Sequence, residues 1–300
     1  MRPRPRPIVL AAIVAAGLTV LIGCGRQSGT AGGRLAVVAT TTQLGDFART
    51  VGGARVSVTQ LMRPNTDPHE FEPTPKDVGA VADAKVVLEH GLGLDNWLDH
   101  VVANAGGSAV RVVTTAGIAL LPGSDPHVWL DPGNAIKMVR AVEQALASVD
   151  PAGATSYHAN AQGLVGRITA LDRELLARIA AIPAARRKIV TDHDAFAYFA
   201  RHYGIEIVGT TLPSLSTAAE PSTKQLTALA ATIRREGVRV VFSEASINSR
   251  LERALADQAG VTLGAPLYGD SLGPADTPAG TYLGMMRTDM DAIIAGIAAG

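Results

Sequence analysis

A long stretch of helical periodicity in the middle of the chain constrains the fold more than any other feature. From about residue 154 to 181 there is no proline. Apolar residues recur there at steps of three and four: Leu164, Ile168, Leu171, Leu175 and Ile179. This spacing predicts one amphipathic helix. At about 1.5 Å per residue it would be roughly 40 Å long, enough to run the length of a protein with two lobes.

On both sides of this helix, short apolar runs alternate with helical patterns. Before it we predict strands near residues 35–39, 56–61, 85–88 and 110–113, and after it near 188–190, 205–208, 238–242 and 261–265. Such alternation is typical of parallel sheets with helical crossovers. We therefore predict an α/β fold of two similar lobes, residues 34–153 and 183–300, joined by one long rigid helix at 154–182.

The amino terminus has a different character. Three arginines fall within the first six residues, and an uncharged apolar stretch follows, of a length that suits a signal peptide better than a membrane span. It ends in Leu-Ile-Gly-Cys at Cys24, which resembles the lipobox of bacterial lipoproteins, where the cysteine is lipidated. We expect a lipoprotein signal peptide at 1–23, a flexible tether at 24–33, and a lipid anchor on Cys24 outside the cytoplasm. The alternative is a plain signal anchor with an incidental cysteine.

Charge and cysteine content narrow the possible partners. The chain has 27 basic and 27 acidic residues, so its formal net charge is zero and we expect no nucleic-acid partner. Cys24 is the only cysteine, which excludes a disulfide within the chain.

Three of the seven histidines share a sequence context. His69 and His127 each end an Asp-Pro-His triplet in a predicted loop, and His193 follows a predicted strand within Thr-Asp-His-Asp. Ligands of open α/β sheets bind beyond the carboxyl ends of strands. A ligating imidazole also needs its second nitrogen held by an acceptor such as a carboxylate. The three histidines therefore predict a metal site. We do not expect ligands among the others: His90, His100, His158 and His202.

A fourth ligand should be an oxygen donor, because no second cysteine exists and tetrahedral sites need four ligands. Asp270 and Glu244 both follow predicted strands of the second half. The topology favours Asp270 but leaves Glu244 open.

Ordered motifs along the chain resemble those of a known family. They are PNTDPHE at 64–70, EPTP at 72–75, GLGLDNWL at 91–98, DPHVWLDP at 125–132, HDAFAYF at 193–199, EPS at 220–222, FSE at 242–244 and YGDSL at 268–272. Over about residues 35–299 the chain resembles the TroA-like solute-binding proteins, the metal-binding lipoproteins of zinc and manganese ABC importers.

The resemblance implies a site, a fold and a partner. The family's metal ligands fall on His69, His127, His193 and Asp270, whereas Glu244 matches a position outside that set. The family fold implies two α/β lobes bridged by a rigid helix, with the metal in the cleft between them. We thus expect a monomer that captures a divalent metal and delivers it to an ABC permease.

The ion expected from the resemblance is Zn²⁺, with Mn²⁺ or iron as the alternative. Three imidazoles and one carboxylate suit zinc, whereas manganese prefers more oxygen ligands. In the family, glutamate in place of the third histidine tends to mark manganese or iron members, and this chain has His193 there. One departure removes an argument for zinc: many zinc members carry a His- and acid-rich insertion between the first two ligand loops, and residues 120–125 run straight into the second loop here.

Two other functions compete with metal capture, a zinc metallohydrolase and an adhesin. A zinc metallohydrolase usually keeps three protein ligands and an open position for water. The chain has no His-Glu-x-x-His motif. We therefore expect a binding protein and not an enzyme, and an adhesin role stays open as a secondary function.

Overall fold

The computed structural model describes Met1 and residues 33–218 and 220–299. The predicted signal peptide beyond Met1, the lipidation site Cys24 and the tether up to residue 32 lie outside the described residues. Within the described part of the chain, no helix combines the length and apolar character needed to cross a membrane.

The first half of the chain forms a parallel four-stranded sheet. Its strands are β1 (Leu35–Ala39), β2 (Val56–Gln60), β3 (Val86–Glu89) and β4 (Val110–Val113), in the order β2-β1-β3-β4. Its helices are α1 (Thr42–Gly52), α2 (Pro75–Asp83), α3 (Leu98–Ala105) and α4 (Pro132–Val149). The segment Pro75-Lys76-Asp77 predicts a helix start, and α2 begins there, with a capping box between Thr74 and Asp77.

The second half repeats this topology. Its parallel strands are β5 (Lys188–Thr191), β6 (Glu206–Thr210), β7 (Val240–Val241) and β8 (Thr262–Leu263), in the order β6-β5-β7-β8. Its helices are α6 (Ala197–Tyr203), α7 (Thr223–Glu236), α8 (Arg250–Ala259) and α9 (Tyr282–Ala299). In each half the second strand lies at one edge beside the first, so the predicted α/β class and its two similar sheets are confirmed.

Helix α5 (Ala154–Ala180) connects the two halves and has 27 residues. The five apolar residues that predict it are all buried. They belong to one apolar cluster that extends without a break from Val37 in the first sheet to Phe242 beyond β7. Two independent lobes would each have their own core, but the largest core here is shared by both halves and α5. The domain limits 34–153, 154–182 and 183–300 therefore stay a prediction.

Three elements differ from the sequence prediction. The pattern from Leu94 to Ala105 predicts a helix, but α3 begins at Leu98, after a turn in which Gly91, Leu92 and Gly93 all have positive φ. Strands β7 and β8 have only two residues each. Their pairing is interrupted at Pro266, which has no N–H to donate to a sheet, and it resumes in the bridge between Glu244 and Leu267.

Candidate metal centre

The structure brings together four side chains that the sequence places far apart. One ligand atom from each of His69, His127, His193 and Asp270 lies within 4.8 Å of the others. These residues follow β2, β4, β5 and β8, so the carboxyl ends of strands from both sheets contribute. His127, His193 and Asp270 are buried, and His69 is partly exposed.

The distances within this group suit a small cation. His127 Nε2 lies 3.4 Å from His69 Nε2 and 3.3 Å from Asp270 Oδ1. His193 Nε2 lies 3.4 Å from Asp270 Oδ1, and His69 Nε2 lies 3.8 Å from Asp270 Oδ2. A tetrahedral site with bonds of about 2.0–2.1 Å has ligand-to-ligand distances of about 3.3–3.4 Å. Three of the four distances therefore match a tetrahedral site of that size.

Two of the histidine rings are oriented by neighbouring carboxylates. His127 Nδ1 lies 2.7 Å from Asp125 Oδ1, and His193 Nδ1 lies 3.3 Å from Asp192 Oδ1. Each contact uses the nitrogen that faces away from the group, which leaves Nε2 directed at the centre. This is the arrangement expected of ligating imidazoles.

His69 departs from that pattern. The Asp67 carboxylate accepts a hydrogen bond from the backbone N–H of His69, at 2.8 Å, through Oδ1. Its other oxygen accepts from the Thr217 hydroxyl in the second half of the chain. Asp67 therefore shapes the loop instead of holding the imidazole ring, which differs from the sequence expectation.

Burial and the neighbouring carboxylates shift the pKa values of these histidines in opposite directions. Burial opposes a proton on the His193 ring, but the Asp270 and Asp192 carboxylates outweigh it and raise the pKa of His193 to about 12. Burial also opposes a proton on His127, yet Asp125 and Asp270 raise its pKa above the ordinary value. Burial lowers the pKa of His69.

Asp270 carries the balancing negative charge. Its burial alone would raise the pKa of the carboxyl, but the His193 and His127 rings hold the pKa below its ordinary value. The charge of this buried carboxylate therefore favours protons on the two rings. A divalent cation at the centre would take the place of those protons.

Glu244, the rival fourth ligand, does not join the group. It is buried, and its two carboxylate oxygens accept hydrogen bonds from the backbone N–H groups of Gly269 and Asp270, at 2.9 and 3.0 Å. Burial raises the pKa of Glu244 well above its ordinary value. The residue supports the loop that carries Asp270.

The remaining histidines have other environments. His90 is buried, and its Nε2–H donates to the carbonyl of Pro126, at 2.8 Å. Burial lowers the pKa of His90 to about 4, so its ring is neutral. His158 contacts Glu143 and His202 contacts Asp172, both away from the group. His100 is exposed.

Three side chains near the centre were not identified from the sequence. Trp129 Nε1–H donates to the carbonyl of Gly269, Gln43 donates to the carbonyl of Asp270, and Asp289 accepts from the N–H of Tyr268. Only Asp289 has a sequence signal: it is an acid within the apolar stripe of α9. The other two carry none, because their partners are backbone groups more than 100 residues away.

Comparisons with known proteins identify relatives of this chain. A model of the family described as zinc-uptake complex component A, periplasmic, matches residues 37–296. The manganese-binding lipoprotein MntA of Halalkalibacterium halodurans is 33% identical over 299 residues, which cover 97% of this chain and 96% of that protein. The iron-binding protein YfeA of Yersinia pestis is 31% identical over 268 residues, which cover 87% of this chain and 85% of that one.

The fold is also similar to a solved structure. The periplasmic zinc binding protein TroA from Treponema pallidum superposes with a TM-score of 0.82 at 32% sequence identity. The match covers 88% of this chain and 99% of that one.

Proposed function

Because this chain belongs to the periplasmic zinc-uptake complex component A family, the metal-binding substrate-binding proteins of ABC importers, we propose that it captures zinc outside the cytoplasm and delivers it to a membrane permease. The observation that carries the proposal is the convergence of three histidines and one aspartate within 4.8 Å. In this proposal His69, His127, His193 and Asp270 bind the ion.

The coordination favours capture over catalysis. Four protein ligands fill a tetrahedral shell, whereas catalytic zinc keeps a position for water. We therefore propose a binding protein and not an enzyme. Metal and permease are its partners, and the protein acts as a monomer.

Zinc is the proposed cargo, although named relatives divide among metals. MntA is named as manganese-binding, YfeA as iron-binding and TroA as zinc-binding. Three imidazoles suit zinc better than manganese, which prefers oxygen ligands. The ligand distances of 3.3–3.4 Å also suit the short bonds of zinc.

Attachment to the membrane is a further part of the proposal. The relative MntA is named a lipoprotein, and Cys24 of this chain ends a lipobox-like sequence. We propose that lipidation of Cys24 holds the protein at the outer face of the membrane. The lobes at 34–153 and 183–300 would then present the metal to the permease from either side of the connecting helix.

The test of the cargo is a competition titration of zinc, manganese and iron against a chelator of known affinity. The wild-type protein should bind one zinc ion and prefer it over manganese. His193→Glu adds an oxygen donor and should reduce that preference, whereas His158→Ala, at an exposed histidine outside the group, should leave it unchanged. Elemental analysis of protein from its native envelope gives an independent answer. Manganese or iron in place of zinc in both measurements would overturn the choice of metal.

A further inference from the structure

Two buried carboxylates bind consecutive backbone groups of the loop that carries Asp270. The N–H of Tyr268 donates to Asp289 Oδ1, at 2.9 Å. The next two N–H groups, of Gly269 and Asp270, donate one each to the two oxygens of Glu244. Three successive donors of this loop are thus satisfied by side chains from the second half of the chain.

The carbonyl groups of the same loop are bound from the first half. Trp129 Nε1–H donates to Gly269 O at 2.9 Å, and Gln43 Nε2–H donates to Asp270 O at 3.0 Å. Side chains from both halves therefore hold the backbone on either side of the Asp270 side chain. The backbone at Gly269 also needs the absence of a side chain, because a Cβ there would lie 2.7 Å from Glu244 Oε2.

Asp289 is an acidic residue at a buried, otherwise apolar position. It lies on the buried face of α9 among Met285, Met286, Met290 and Ile293, and it is fully buried. Burial raises the pKa of this carboxyl to about 8. Its Oδ2 has no hydrogen-bond partner among the described residues.

A carboxyl in this environment costs free energy, because it loses its hydration and gains only one hydrogen bond from the part of the chain that the structure describes. That single bond goes to the loop of Asp270. An apolar residue would fit the helix face better, so the bond to Tyr268 is the feature that accounts for an acid at this position.

We propose that Asp289 and Glu244 are positioning residues for metal binding, which act by fixing the loop backbone so that the Asp270 carboxylate meets an ion held by the three histidines. The inference rests on the proposed function. It predicts that neither residue touches the ion, and that both influence it through Asp270 alone.

The first test compares two substitutions of Asp289. Asp289→Leu removes the acceptor of the Tyr268 N–H and should lower zinc affinity by about 10- to 100-fold, the range for residues that orient metal ligands. Asp289→Asn keeps an acceptor oxygen and should restore most of the affinity. Asp291→Asn, an exposed carboxylate on the same helix that pairs with Arg178, is the matched control and should change nothing. Equal losses in Asp289→Leu and Asp289→Asn would overturn the proposal.

The second test asks whether the effect passes through Asp270. Each positioning substitution is made again in an Asp270→Ala background, and zinc affinity is measured in all four proteins of the cycle. The proposal requires the loss caused by Asp289→Leu to disappear once Asp270 is absent. An equal loss in both backgrounds would show a general structural or electrostatic effect and would overturn it.

If circular dichroism shows that Asp289→Leu does not fold, Glu244→Gln provides a second test of the same proposal. A glutamine has one acceptor oxygen, so it can satisfy only one of the N–H groups of Gly269 and Asp270. It should therefore lower zinc affinity by about tenfold or more with Asp270 present, and have no effect in the Asp270→Ala background. A wild-type protein that binds no zinc would refute the proposed function, whereas additive losses would refute only the positioning role.

Discussion

The same three residues, Asp-Pro-His, occur at 67–69 and at 125–127 and behave differently. In both, the aspartate Oδ1 accepts from the backbone N–H of the histidine, at 2.8 and 2.9 Å. Only Asp125 also contacts the histidine ring, at 2.7 Å. The second oxygen of Asp67 is bound by Thr217, which lies 150 residues away.

The difference shows which contacts are determined by the triplet itself and which depend on the tertiary structure. The turn that places each histidine backbone follows from the triplet itself, because an aspartate side chain readily binds a backbone N–H two residues on. The contact with the ring depends on the tertiary neighbours of the carboxylate. His127 is therefore a buried ring with a fixed orientation, and His69 is a partly exposed ring without such support.

The largest expected effect is on the pH dependence of zinc affinity, to which His127 and His69 should contribute differently. Carboxylates raise the pKa of His127 and raise that of His193 to about 12, whereas burial lowers the pKa of His69. His193, with its pKa raised to about 12, holds a proton at neutral pH, so zinc must displace that proton and its affinity falls as pH falls. Between pH 7.5 and 5 we expect a loss of about 300-fold or more in a zinc titration, since each displaced proton gives about tenfold per pH unit.

The matched control for this effect is a pair of variants. His69→Ala should keep the steep pH dependence, because His69 contributes little to the displaced protons. His193→Ala should flatten it. A wild-type affinity that stays constant from pH 7.5 to 5 would mean that the histidines are not the main ligands.

Removal of single ligands should give the next largest effect. His127→Ala should lower zinc affinity by more than about 100-fold, since a complete four-ligand zinc site contributes about 10–16 kcal/mol. His69→Ala should cost less, because water can reach this partly exposed position and replace the ring. Competition titrations measure both, with His202→Ala as a control histidine outside the group. Equal losses in all three variants would break the assignment of ligands.

The smallest effect concerns the two aspartates of the triplets. Asp125→Asn keeps the shape of the side chain but weakens a charge-assisted bond to the ring, and should cost about tenfold in zinc affinity. Asp67→Asn should cost less, because Asp67 does not contact the ring. Circular dichroism of both variants checks that the fold is retained. A larger loss for Asp67→Asn would mean that the loop at His69, and not the ring at His127, limits binding.

Sequence periodicity predicts most of the helices and strands of the fold. The stripe from Leu164 to Ile179 predicts α5 to within two residues at its carboxyl end, because few apolar patterns other than a buried helix face have that period. Periodicity does not predict the start of α3, because the turn before it has three consecutive residues with positive φ, and the Asp95 carboxylate accepts hydrogen bonds there from the N–H groups of His90 and Gly91.

For the candidate site, the sequence identifies some of the residues but not all of them. His69, His127 and His193 could be selected because each lies in a loop beyond a strand, beside an acid. In the structure Asp270 lies among them and Glu244 does not. No local pattern could decide between these two acids, because both follow strands of the same sheet. Asp289 could not be given a role, because its partner Tyr268 becomes a neighbour only when α9 packs on the second sheet.

The most direct test of the central claim is X-ray absorption at the zinc edge of the zinc-loaded protein. Four protein ligands predict a four-coordinate ion with three imidazole nitrogens and one oxygen, at about 2.0–2.2 Å. The imidazole contribution should fall by one third in His127→Ala and stay complete in His202→Ala. A six-coordinate shell dominated by oxygen, or an unchanged imidazole contribution in His127→Ala, would contradict the account.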